Sequence, residues 1–192
     1  MRTHITITGE LGSGKSTVAK LVAQHFGFPI FSTGDAQRLL AEQMHMTTLQ
    51  LNQLSMTDKS IDHQIDSQFQ KLAEENTAYV VDSRLAFHFL PASFKVMLTV
   101  DPQVGAQRIM QDKRSSEQAY QSLQECLTAT TERRKMEQKR FMDLYQIDIS
   151  DKKNFDLVID TTNQTPEETA QSIISQYIQH YSNPNETFCY NP

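Results

Sequence analysis

The chain has two cysteines, Cys126 and Cys189, and no CxxC pair. That excludes a disulfide framework and a cysteine zinc motif. Its six histidines, His4, His25, His45, His63, His88 and His180, form no i, i+4 pair and have no cysteine neighbours. They read as surface or packing residues rather than metal ligands. No run approaches the roughly 20 apolar residues of a membrane helix. No cationic segment followed by a long apolar run opens the chain, so no secretory leader is expected. A basic excess is missing too: 18 Lys and Arg face 23 Asp and Glu, a net charge of -5. This argues against nonspecific binding to nucleic acid or an anionic membrane. There is no repeat, linker or low-complexity stretch. These absences point to a soluble, cytoplasmic protein in a reducing compartment. Its 192 residues suit one domain.

What is there alternates. Short apolar or β-branched runs predict five strands: His4–Thr8, Pro29–Phe31, Ala78–Val81, Phe94–Val100 and Phe155–Ile159. Between them lie segments of helical period: Ser16–Phe26, Asp35–Met46, Ile61–Leu72, a helix from Pro102 capped by Asp101, and a long one from Ser115 to about Tyr145. Ser115 with Gln118 reads as a capping box for the long helix. Thr165-Pro166-Glu167-Glu168 reads as the capped start of a last helix, and the tail from Ser182 reads as loose. Strand and helix in alternation predict a parallel sheet covered on both faces. The main domain would span 1–181, with two small helical regions at 33–76 and 108–145.

The first strand runs into GELGSGKST, Gly9 to Thr17. Gly9, Gly14, Lys15 and Ser16 fit G-x-x-x-x-G-K-[ST] between a strand and a helix. Gly9, Glu10, Leu11, Gly12, Ser13, Gly14, Lys15, Ser16 and Thr17 would wrap a nucleoside triphosphate with backbone N–H groups. The helix start adds its positive dipole end. Lys15 would reach the β- and γ-phosphates, and the Ser16 hydroxyl would face Mg²⁺. The motif alone does not separate kinase from GTPase or motor.

Three further segments narrow the choice. Thr33 and Gly34 make a tight polar helix start after the second strand, with Arg38 one turn on. That arginine is either a phosphate clamp or a solvated charge. Asp82 ends the third strand and Arg84 follows. A carboxylate there lies at the ligand edge of an α/β sheet, where it could hold magnesium through water or a neighbouring arginine. From Arg108 to Arg140 eight Lys and Arg outnumber five Asp and Glu. Within that window Arg133, Glu137 and Arg140 are spaced to share one helix face. Such arginines suit a transferring phosphoryl group, and a salt-bridged surface is the plain alternative. No guanine-reading N-K-x-D is present.

With ITITGELGSGKST, FSTGDAQR, IDHQID, VVDSRLA, ERRKMEQKRF and YQIDISDKKNFDLVIDT in this order, the chain resembles nucleoside monophosphate kinases. It is most similar to the short archaeal-type cytidylate kinases, from about Ile5 to Ile178. The resemblance implies a P-loop NTPase three-layer αβα fold with small nucleotide-acceptor and lid regions. It implies γ-phosphoryl transfer from ATP to CMP or dCMP with Mg²⁺. Lys15, Arg133 and Arg140 would be catalytic. Thr33, Gly34, Arg38 and Arg84 would hold the acceptor. Glu137 would serve the lid or face the cytosine, and Ser16 and Asp82 would serve the metal. A small-molecule substrate, no nucleic acid, no membrane and a monomer are the expected partnerships. Another acceptor (UMP, AMP or a non-nucleotide) and a silent ATP-binding regulator stay open. Asp82-Ser83-Arg84 departs from the family's Glu-Gly-Arg, Gln37 stands where an aromatic is common, and Leu85 stands where longer bacterial relatives carry aspartate.

Overall fold

A computed structural model describes residues 3–46, 48–55, 58–112 and 120–182. The strands are β1 (Ile5–Gly9), β2 (Ile30–Ser32), β3 (Val80–Asp82), β4 (Phe94–Thr99) and β5 (Leu157–Asp160). All pair in parallel, in the order β2-β3-β1-β4-β5. Every residue of β1 and β3 is buried, as the continuous apolar runs require of central parallel strands. Each strand lies within a residue or two of its sequence expectation.

Side-chain alternation divides the sheet between two helical layers. Ile5, Ile7, Val80, Val96, Leu98 and Ile159 join α1 (Lys15–Phe26) and α8 (Pro166–Ser182) in one core. Val81 points the other way, into a cluster with Phe69 and Leu72 of α4 (Lys59–Glu74) and Ala86 of α5 (Ala86–Phe89). The three-layer α/β expectation holds. A small separate core of Ala41, Leu51 and Ile61 joins α2 (Thr33–Gln43), α3 (Thr48–Ser55) and α4.

Caps set several boundaries. Asp101 accepts from the N–H groups of Gln103 and Val104 and opens α6 (Pro102–Gln111). Thr165 and Glu168 bond reciprocally, at 3.2 and 2.8 Å, and open α8. Two expectations need correcting. The long helix does not run from Ser115: α7 is Leu123–Tyr145, capped by Ser122, whose hydroxyl accepts from Glu125 N–H. The Ser115 and Gln118 box lies outside the described residues. Helices α3 and α5 carry too few periodic positions to announce themselves. Ser182, expected as tail, ends α8, and the rest of the tail lies outside the described residues.

The loop from Gly9 to Gly14 is wedged against α6. A Cβ on Gly12 would lie 2.3 Å from the Gly105 carbonyl oxygen, and one on Gly105 would lie 2.7 Å from the Leu11 carbonyl oxygen. Both neighbours are backbone, so neither yields cheaply. Alanine favours a helix interior by about 1 kcal/mol over glycine. We expect Gly105→Ala to destabilise all the same, by about 1–3 kcal/mol, read as a lower midpoint in urea unfolding. A stabilised variant would contradict this packing.

Candidate functional site

The carboxyl ends of β1, β2 and β3 lie together because Ile7 pairs with Asp82 and Ser32 with Asp82 across the sheet. That edge is where open α/β sheets take their ligands. Gly12 and Gly14 both have φ +79°, the left-handed region that glycine enters freely. Gly14 is the N-cap of α1, and a Cβ there would meet nothing within 4 Å. The first amides of a helix have no intrahelical partner, and α1 starts at this point. The Ser13 hydroxyl is buried and has no hydrogen-bond partner among the described residues. A turned glycine loop, open space and an orphaned donor fit an anion such as a phosphate.

Lys15, the first residue of α1, turns its ammonium onto Asp82 Oδ1. Burial holds the lysine below its usual pKa, and the Asp82 carboxylate opposes that shift. Arg84 and Glu137 also lie near enough to act on it, with opposite signs. Asp82 is 2% exposed, and its carbonyl accepts from the Thr33 hydroxyl at 3.4 Å. The β3 exit is tied to β1 as well. Ser83 N–H donates to Ile7 O at 3.2 Å, and Thr8 Oγ1 donates to Ser83 O at 3.1 Å. Ser83 lies outside the left-handed region and its hydroxyl accepts from Leu85 N–H at 3.3 Å. The serine therefore suits this turn, and a glycine's freedom is not needed there.

Helix α7 brings the basic face over this edge. Glu137 pairs with Arg84, and its other oxygen accepts from Arg133 Nε at 3.1 Å. Lys15, Asp82, Arg84, Glu137 and Arg133 thus form one neighbourhood. Arg140 donates to Ser55 Oγ of α3 at 2.8 Å, and its guanidinium lies 5.2 Å from the Phe141 ring centre. Tyr145 donates to Asp66 of α4 at 2.9 Å. Arg38 is held by Asp35 one turn before it, and Asp35 N–H is capped by the Ser32 hydroxyl. Gly34 lies against the Arg38 guanidinium, 3.6 Å from the place of a Cβ. Ser16 is half-buried and Thr17 exposed at the start of α1.

The sequence reading missed two side chains that shape the phosphate loop. Arg108 donates to Thr161 O at 2.8 Å, to Thr162 O at 3.2 Å and to Gly12 O at 3.4 Å. It joins α6, the β5 exit and the loop. Arg134 pairs with Glu10 at 2.5 Å. It escaped the shared-face argument because it lies about 100° around the helix from Arg133. The charge excess of the window was its only signal.

Known proteins bear on this geometry. Residues 4–163 match the cytidylate kinase-like family. A cytidylate kinase from Haloarcula marismortui is 35% identical over 181 residues, covering 93% of this chain and 90% of that one. An S-adenosylmethionine-dependent nucleotide dehydratase from Lacinutrix mariniflava is 34% identical over 181 residues, 92% of this chain. The chain spans 36% of that longer protein. Shikimate kinase from Aquifex aeolicus shares the fold, with a TM-score of 0.59 at 18% identity over 94% of this chain and 100% of that one. No helix among the described residues is long and apolar enough to cross a membrane. A phosphate-shaped loop on a five-stranded parallel sheet, with a family match over most of the length, makes the chain a member of the cytidylate kinase-like family, and membership implies nucleotide binding.

Proposed function

We propose that the protein transfers the γ-phosphoryl group of ATP to a pyrimidine nucleoside monophosphate, CMP or dCMP. The observation that carries this is the meeting of Lys15 of α1, Arg84 of the turn after β3 and Arg133 of α7 beside the glycine loop. A site that binds only ATP needs no such second set of cations. Relatives named for cytidylate and for nucleotides support a nucleotide acceptor.

No covalent enzyme intermediate is required. An acceptor phosphate oxygen attacks in line, and the protein orients and neutralises. The loop from Gly9 to Thr17 binds the donor, and Lys15 leaves Asp82 for its phosphates. Arg84 takes the acceptor phosphate, assisted by Thr33, Gly34 and Arg38 from the region spanning 33–76. Arg133 and Arg140, on the 108–145 region acting as a lid, balance the charge on the transferring group. Glu137, freed from Arg84, faces the acceptor nucleoside. The Ser16 hydroxyl and the Asp82 carboxylate are hard oxygen donors of the kind Mg²⁺ takes. Bound there, the ion would neutralise phosphate charge.

The deciding experiment is ADP release from Mg-ATP with CMP, dCMP, UMP, dUMP, AMP and no acceptor in parallel. Turnover with CMP and dCMP above all others is expected. Preference for AMP would overturn the acceptor assignment. Acceptor-independent hydrolysis alone would overturn the kinase reading. Lys15→Met should bind ATP weakly and lose at least 100-fold in kcat, on the order of the cost of removing one charge-stabilising group, while circular dichroism stays native. Arg140→Ala should lower kcat by a similar factor of about 100 and change the KM for ATP less than threefold. A raised KM with unchanged kcat would remove Arg140 from the chemical step.

A further inference from the structure

Glu10 is the second residue of the phosphate loop, and it is fixed at every polar atom of its side chain. Oε2 accepts the Val100 N–H at 2.9 Å, just past the end of β4. Oε1 pairs with Arg134 of α7 at 2.5 Å. The Glu10 backbone N–H donates to Leu98 O at 2.9 Å. The carboxylate is mostly buried, at 14% exposure, and its arginine is half-exposed. Val100 completes a circuit. Its Cγ1 would lie 3.2 Å from a Cβ on Gly105, the α6 residue that also abuts the backbone of Leu11 and Gly12. Loop, β4 exit and α6 therefore brace one another, and Glu10 is the side-chain link.

A carboxylate is an unexpected link in a loop shaped for a phosphate. A buried, uncompensated acid is costly and would repel the incoming anion. Arg134 removes both objections. We propose that Glu10 and Arg134 are positioning residues, an ion-paired latch by which α7 holds the phosphate loop in its anion-receiving shape. The role assigned to the loop rests on the phosphoryl-transfer reading above. Arg133, the neighbouring residue, grips Glu137 and through it Arg84. One turn of α7 thus holds both the donor loop and the β3 exit, and movement of that turn disturbs both together.

The latch has a signature that simple packing lacks. In Arg134→Met the Glu10 charge is left without its partner, so it leaves Val100 for water and the loop loosens. A glutamine at position 10 still accepts the Val100 N–H and needs no arginine. The repair of one loss by a second substitution is therefore expected. Hydrogen–deuterium exchange of the ligand-free full chain, read over Leu11 to Lys15, tests this without any substrate. Exchange should speed about fivefold in Arg134→Met, the scale of a modest ion pair. It should return to within about twofold of wild type in Glu10→Gln/Arg134→Met and stay there in Arg134→Lys. Unchanged exchange in Arg134→Met overturns the latch. Equal acceleration in the single and double variants also overturns it, because a lost structural contact would not be repaired. In turnover, the KM for ATP should rise with exchange in Arg134→Met by more than kcat falls. A wild-type protein that binds no ATP would refute the phosphoryl-transfer reading, while ligand-free exchange still decides the latch by itself.

Discussion

The ion pair between Lys15 and Asp82 organises this molecule. A lysine at the head of a helix, beside a glycine-rich loop, concentrates positive potential. Such a charge favours a neighbouring carboxylate. The sheet order supplies one. β3 lies next to β1, and the register sets Asp82 opposite Ile7, so the carboxylate arrives at the mouth of the loop. Asp82 also anchors β2's exit through its carbonyl and Thr33. One buried residue thus joins the glycine loop to the start of α2.

Helix α7 repeats the same logic on a larger scale. It reaches the glycine loop through Arg134 and Glu10, and the β3 exit through Glu137 and Arg84. It reaches α3 through Arg140 and Ser55, and α4 through Tyr145 and Asp66. At its other end Cys126, fully buried, points its thiol at the Ala106 carbonyl of α6, 3.6 Å away. These partners come from most of the parts that line the sheet's carboxyl edge. Charged contacts of this kind are worth little each when exposed. Several on one rigid helix act together, because moving the helix breaks them as a group.

The fold was legible because its signals were local. Buried parallel strands must be short apolar runs, and caps such as Asp101 and Thr165 mark helix starts by chemistry that needs no tertiary partner. The glycine loop stood out in the sequence for a related reason: Gly12 and Gly14 take φ +79°, a conformation their own backbone demands. Helices α3 and α5 were not legible, being 8 and 4 residues long and settled by packing on neighbours rather than by period. Arg133 and Glu137 emerged from helical spacing. Arg108, Arg134 and Gly105 did not, because their partners are distant in sequence: Thr161 and Gly12, Glu10, and Leu11. A spacing rule sees one helix face and cannot see what a second element presents to its flank.

Of the five cations proposed for phosphate contact, four hold a carboxylate, while Arg140 donates to the Ser55 hydroxyl. Lys15 has Asp82, Arg84 and Arg133 share Glu137, and Arg38 has Asp35. Under the proposed reaction, phosphate binding is therefore an exchange of anions and not the filling of bare charge. Its net strength is the difference between two sets of charge-assisted bonds. A phosphate dianion offers more charge and more acceptor oxygens than the carboxylate it displaces. An anion with only one charge offers little advantage over the carboxylate already there. The displaced carboxylates have different fates. Asp82 is buried in the sheet edge and stays beside the donor site. Glu137 sits on a helix whose grip on the core runs partly through that very contact, so its release weakens what holds α7 in place. Acceptor binding and movement of the lid helix would then be the same event, coupled through one glutamate.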